Sequence, residues 1–120
     1  MGATQKKQFD SPDETRSFEH GKFDVVRLGD RSVARFTYEP GWKWSESVKP
    51  IAGTESCQKH HVGYVVQGRL HVTTSGGDEI EVGPGDAYEV APGHDAWVVG
   101  DETWIALEFE SKTAAEYAKK

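Results

Sequence analysis

The chain has 120 residues, enough for one domain with one modest core. Its formal net charge of −6 excludes the basic face that nucleic acid requires and disfavours docking on anionic lipid, so the acidic surface reads as a solubility feature. A single cysteine excludes an internal disulfide, and no apolar run approaches the ~20 residues that span a bilayer.

The opening MGATQKKQFD is polar and lacks the apolar stretch of a secretory signal, and Lys6 stands where a myristoylation motif needs Ser or Thr. A cytoplasmic protein is the expectation. Residues 1–19 read as a polar lead-in that drapes over the body. From Phe23 the texture changes: KFDVVRL and RSVARFTYE are strands joined at a Gly-Asp turn. PGWKWSESVKPIAG follows as a long loop, because its prolines cannot donate to a ladder. HVGYVVQGRLHVTT is strand, turn at Gln67-Gly68, strand. GDEIEV, AYEVAPG, HDAWVVG and TWIALEFE add four more strands, separated by glycine-rich turns. SKTAAEYAKK, residues 111–120, reads as a tail or a short helix with Ser111 as its N-cap and lysines at its C-terminal end.

About eight short strands with turns at even spacing give an all-β sandwich or barrel, residues 20–110. Several strands (YVV, WVV, WIALEF) are apolar on both faces, which fits a layer covered on both sides or an oligomer interface. An exposed sheet edge is a hazard that pairing removes, so a homodimer is expected.

Two stretches resemble the paired motifs of the cupin superfamily. The first runs from Gly53 to Gly68 and ends HVGYVVQG; the second is GPGDAYEVAPGHDAW, residues 83–97, entered by GDEIEV. The resemblance covers roughly Val25 to Phe109, in order and in spacing. It implies a double-layered, jelly-roll β-barrel, often dimeric, with a pocket inside. Typical cupins hold a divalent metal with His-x-His and Glu from the first motif and a last His from the second. Aligned on Gly68, the resemblance puts His60 in the place of that glutamate, Glu55 and Cys57 at the His-x-His positions, and Ala96 at the last position, with His94 two residues earlier. It therefore implies the barrel and its pocket, and not the usual iron or manganese chemistry.

The substituted residues still form a candidate metal set. Glu55 and Cys57 are two apart and share a face in extended chain, His60 follows around the bend, and His94 shares a face with Ala96. A carboxylate, a thiolate and two imidazoles suit zinc better than iron or manganese. The other reading is a buried cysteine acting as a small hydrophobe and histidines bonded to loop carbonyls, around an empty pocket or one for an organic ligand. His61 points away from His60 by strand alternation and is the weaker ligand. His20 and His71 read as surface residues. Trp42, Lys43 and Trp44 form either a plug or an aromatic lid with a cation, and Tyr64 and Trp97 line the same pocket from the walls. Glu89 and Asp95 act as acid or base only if buried near it.

Three functions fit these residues: a cupin that binds or senses a small molecule, with or without a non-standard divalent metal; a metal-dependent dioxygenase or isomerase acting on a small organic acid or sugar derivative; and a metal-free isomerase with His60 or His94 as base. Nucleophilic catalysis by Cys57 is disfavoured, because Glu55 two residues away pushes the thiol pKa up.

Overall fold

The computed structural model describes residues 4–57 and 60–109. Nine antiparallel strands form two facing sheets. They are β1 (Glu14–Phe18), β2 (Gly21–Leu28), β3 (Arg31–Tyr38), β4 (His61–Gln67), β5 (Arg69–Thr74), β6 (Glu79–Val82), β7 (Ala87–Val90), β8 (His94–Val99) and β9 (Trp104–Phe109). One sheet has the order β1-β2-β3-β9-β4-β7 and the other β6-β5-β8. A single cluster of buried side chains fills the space between them, with Phe23, Val25 and Phe36 from one sheet and Leu70, Val72 and Val98 from the other. This is the all-β, double-layered architecture that the turn spacing predicts. No helix among the described residues is long and apolar enough to cross a membrane.

Two details differ from the sequence reading, and a third lies beyond what the structure describes. The polar lead-in ends earlier than residue 19, because Glu14–Phe18 pairs with β2 as an edge strand, Thr15 opposite Asp24 and Arg16 opposite Phe23. Its polar outward residues are what an unpartnered edge needs. The loop before β4 contains two single-turn helices, α1 (Trp44–Ser47) and α2 (Lys49–Ala52). Burial of Trp44, Ser47 and Val48 fixes the first, and Gly53 at φ 76° ends the second. The tail expected at 111–120, with its short helix, lies outside the described residues.

Two glycines shape the region around β4. Gly68, at φ +80°, turns the chain from one sheet into the other, and a Cβ there would lie 2.6 Å from the Thr103 carbonyl oxygen. Gly63 pairs with Tyr88 on β7 and with Glu108 on β9, so these three residues form a row across the inner face. The Tyr88 hydroxyl crosses over Gly63 to donate to Glu108 Oε2 at 2.7 Å, and a Cβ at Gly63 would lie 2.6 Å from that hydroxyl. Gly63→Ala should therefore destabilise the fold by about 1–3 kcal/mol, the cost of overpacking a filled core. Thermal denaturation checks this, and an unchanged melting temperature would mean that the row is not close-packed.

Candidate metal centre

Cys57 lies just before β4, in the six-stranded sheet, and His94 opens β8 in the other. A backbone bridge joins them: Cys57 N–H donates to the His94 carbonyl at 2.8 Å, and Gly93 N–H donates to the Cys57 carbonyl at 2.7 Å. His61, the first residue of β4, points inward beside them. The ligand atoms of Cys57, His61 and His94 all lie within 4.8 Å of one another, and all three residues are buried.

Hydrogen bonds fix both rings. His94 Nδ1 is 2.7 Å from the Ala91 carbonyl oxygen, which can only accept, so Nδ1 carries a proton and Nε2 is the ring atom left for the site. His61 Nδ1 is 2.9 Å from Glu108 Oε1, which likewise requires a proton on Nδ1, and its Nε2 lies 3.6 Å from Cys57 Sγ. Glu108 is itself held by Tyr88. A carboxylate behind a histidine in this way orients metal ligands and raises their basicity.

Electrostatics complete the site. Burial pushes the Cys57 thiol up, but hydrogen bonds from His61 and His94 outweigh it and hold the group at about 6. Burial pulls His61 down, but the Glu108 carboxylate and Cys57 hold it at about 10. Without a metal these shifts favour a thiolate at Cys57 beside an imidazolium at His61.

The donor set fits zinc. A tetrahedral ion with Zn–S and Zn–N bonds of about 2.3 and 2.0 Å separates sulfur from nitrogen by roughly 3.5 Å, close to the 3.6 Å between Cys57 Sγ and His61 Nε2. Three protein ligands leave one position for a small molecule. Beside the cluster lies a cavity of about 40 Å³, walled by Phe36, Tyr38, Trp42, Trp44 and Trp104 among others.

The chain matches no protein-family model and no curated protein sequence. Its structure is similar to solved ones. The polyketide cyclase RemF from Streptomyces resistomycificus superposes with a TM-score of 0.63 at 17% identity over 91% of this chain and 80% of that one. A cupin-2 domain protein from Rhodospirillum rubrum gives 0.56 at 20% identity, over 88% and 66%. Oxalate decarboxylase from Bacillus subtilis gives 0.61 at 16% identity over 92% of this chain but only 31% of its own. The fold is that of the cupins.

Against the cupin motifs, the structure brings Cys57 and His94 together and separates the other two expected ligands from them. The Glu55 side chain is 96% exposed, with Lys49 Nζ 3.2 Å away. It sits in the irregular stretch after α2, where the two-residue alternation of an extended strand does not hold. His60 is exposed and meets Glu89 on the outside, Nε2 to Oε2 2.8 Å. The inward register of β4 is His61, Gly63, Val65, one residue out of step with an alignment that puts His60 inside. The same register turns Tyr64 outward, 44% exposed.

Trp42 and Trp44 are buried in the core and line the cavity, the plug arrangement rather than an open lid. Lys43 and Trp97 are half-buried and point away from the cavity. The Lys43 ammonium lies 5.4 Å from the centre of the Trp97 ring, on which His71 also stacks. Glu89 is outside, and Asp95 accepts hydrogen bonds from the backbone N–H groups of Ser45 and Ala96, so both are structural. Sequence reasoning passed over Glu108, Tyr88 and Trp104. The available signal was alternation with Trp104 and Ala106 on β9, which places Glu108 on the buried face.

The thiolate–imidazolium pair sets a pH dependence. His61 is raised on folding from 6.5 to about 10, so its contribution to stability is complete below 6.5 and is lost as pH rises through about 10. Cys57 is lowered from 9.0 to about 6, so its contribution is complete above 9.0 and is lost as pH falls through about 6. Between 6.5 and 9.0 the two slopes oppose and cancel. In metal-free Cys57→Ser only the His61 slope remains. Its melting temperature should fall further below that of the metal-free native protein as pH rises through that window. A difference that stays constant across those pH values would exclude the coupled pair.

Proposed function

We propose that this cupin binds a small molecule at a divalent metal, zinc in preference to iron or manganese, held by Cys57, His61 and His94. The observation that carries the reading is the pair of buried imidazoles, each tied at Nδ1 by an acceptor so that Nε2 faces the thiol. The chemistry of the set, one thiolate and two imidazoles, selects a borderline-soft ion. When bound, zinc would supply an electrophilic point at the end of an aromatic cavity. Glu108 and Tyr88 would hold the His61 ring in place, and the tryptophans would exclude bulk water. A buried thiol with no disulfide partner suits a reducing, cytoplasmic setting.

A second reading, a metal-dependent enzyme on a small organic acid or sugar derivative, draws on the open ligand position and on the enzymes among its structural neighbours. The metal-free isomerase loses its first candidate base, because His60 lies outside the cavity.

Protein purified without chelator should carry close to one zinc per chain by elemental analysis. Cys57→Ser, His61→Ala and His94→Ala should each lose most of it, and Glu55→Ala and His60→Ala should keep it. Full metal content in both Cys57→Ser and His61→Ala would end the reading.

The same proposal includes a homodimer. The outer face of β4 exposes Val62, Tyr64 and Val66, and the neighbouring β9 adds Ile105, Leu107 and Phe109. Two adjacent strands with apolar outward residues make a self-complementary patch of the kind an isologous pair buries. Sedimentation should give a dimer for the native chain and a monomer for Val66→Glu. A native monomer would remove the dimer without touching the metal site.

A further inference from the structure

Two of the tryptophans that wall the cavity carry polar atoms that nothing among the described residues satisfies. Trp42 Nε1 and Trp104 Nε1 are buried without a hydrogen-bond partner there, and each tryptophan is 2% exposed. An indole N–H can only donate, and leaving one unmatched in the interior costs about 1–3 kcal/mol. Both rings stack on Tyr38, Trp42 at 3.8 Å and 7° and Trp104 at 5.3 Å and 22°, so they are held in place. The acidic and imidazole groups at the metal end are already engaged. Glu108 accepts from His61 and Tyr88, one at each oxygen, and His94 donates to Ala91. What these two indoles lack is an acceptor.

Size and charge narrow the acceptor further. At about 40 Å³ the cavity has room for a few waters, given that one water needs roughly 10–15 Å³. A sugar or an aromatic acid is too large. Leu70, Val72, Val90 and Ala96 also line it, which suits a methyl or methylene body. Zinc with one thiolate leaves a single positive charge at the ion, and Glu108 already places a negative charge behind His61. At the ion itself a monoanion leaves no net charge, whereas a dianion leaves a negative charge that adds to that of Glu108 in a buried pocket.

We infer that the cavity takes a small monocarboxylate of about two carbons, its oxygens shared between the metal and the Trp42 and Trp104 indole N–H groups. This rests on the metal reading above.

The test uses zinc-loaded protein with nitrogen-15-labelled indoles, titrated with acetate, with zinc measured in the same sample. Of the four tryptophan N–H signals, those of Trp42 and Trp104 should move and saturate while that of Trp97 stays. Trp104→Phe should weaken acetate about tenfold, the loss of one hydrogen bond, with zinc content unchanged. Malonate should bind more weakly than acetate. The inference is overturned if zinc is held and no cavity indole moves, if Trp42→Phe and Trp104→Phe both bind acetate as the native protein does, or if malonate binds as tightly as acetate. Absence of zinc before acetate is added overturns the metal reading instead, and is read separately.

Discussion

Glu108 is 3% exposed on the middle strand of a sheet interior, and a lone carboxylate there would cost several kcal/mol. Its two oxygens are matched by two different elements, His61 at the start of β4 and Tyr88 on β7. Much of the site's geometry follows from that requirement. His61 must turn Nδ1 toward the carboxylate, which aims Nε2 at Cys57. Tyr88 must lean across β4, which only a glycine at position 63 permits. The order β9-β4-β7 places the three contributors side by side. A buried negative charge thus fixes the rotamer and tautomer of the histidine in front of it and lowers the cost of a thiolate beyond.

The second requirement is that the two sheets meet at this end. The Cys57–His94 bridge does so through backbone hydrogen bonds, so sulfur and imidazole are brought together without depending on side-chain flexibility. A second bridge, between Lys43 and Trp97, anchors the segment that carries Trp42 and Trp44 against β8. That segment is short and has little regular structure, yet its tryptophans are among the most buried residues. Stacking of Trp42 on Tyr38 just before it and burial of Trp44, and not helix propensity, hold α1 where it is.

The barrel was legible in the sequence because glycine turns at short, even intervals leave few alternatives, and because the cupin-like segments agree in order and spacing. The meeting of positions 57 and 94 followed from closure alone. His61 was not legible, for a reason visible in its strand. Along β4 the inward set is His61, Gly63, Val65 and the outward set is Val62, Tyr64, Val66. Hydrophobicity taken alone reverses that strand. Along β9 the inward set Trp104, Ala106, Glu108 is again interleaved with the more uniformly apolar Ile105, Leu107, Phe109. A carboxylate in an inward register is read as outward unless the partner that neutralises it is already known, and that partner lies 47 residues away in the chain. Glu55 failed for a local reason: the extended-chain periodicity that paired it with Cys57 stops at the turn after α2.

Behind the candidate metal centre these two strands turn His61 and Glu108 inside and apolar residues outside, a local inversion of the usual assignment. The inversion connects the two halves of the functional reading. A polar site needs its supporting strands rigid, because a His–carboxylate pair loses its value as an orienting device when the carboxylate can swing. At the site end the inner face of these two strands contributes little apolar packing, since Gly63 has no side chain and His61 and Glu108 are polar. Apolar cover on the opposite face, in the dimer proposed above, would supply the missing rigidity. A second copy seated on Val62, Tyr64 and Leu107 would clamp the backbone from which His61 and Glu108 project. In that dimer, ligand affinity and association of chains would be coupled through the same two strands, with no contact between the partner and the ligand.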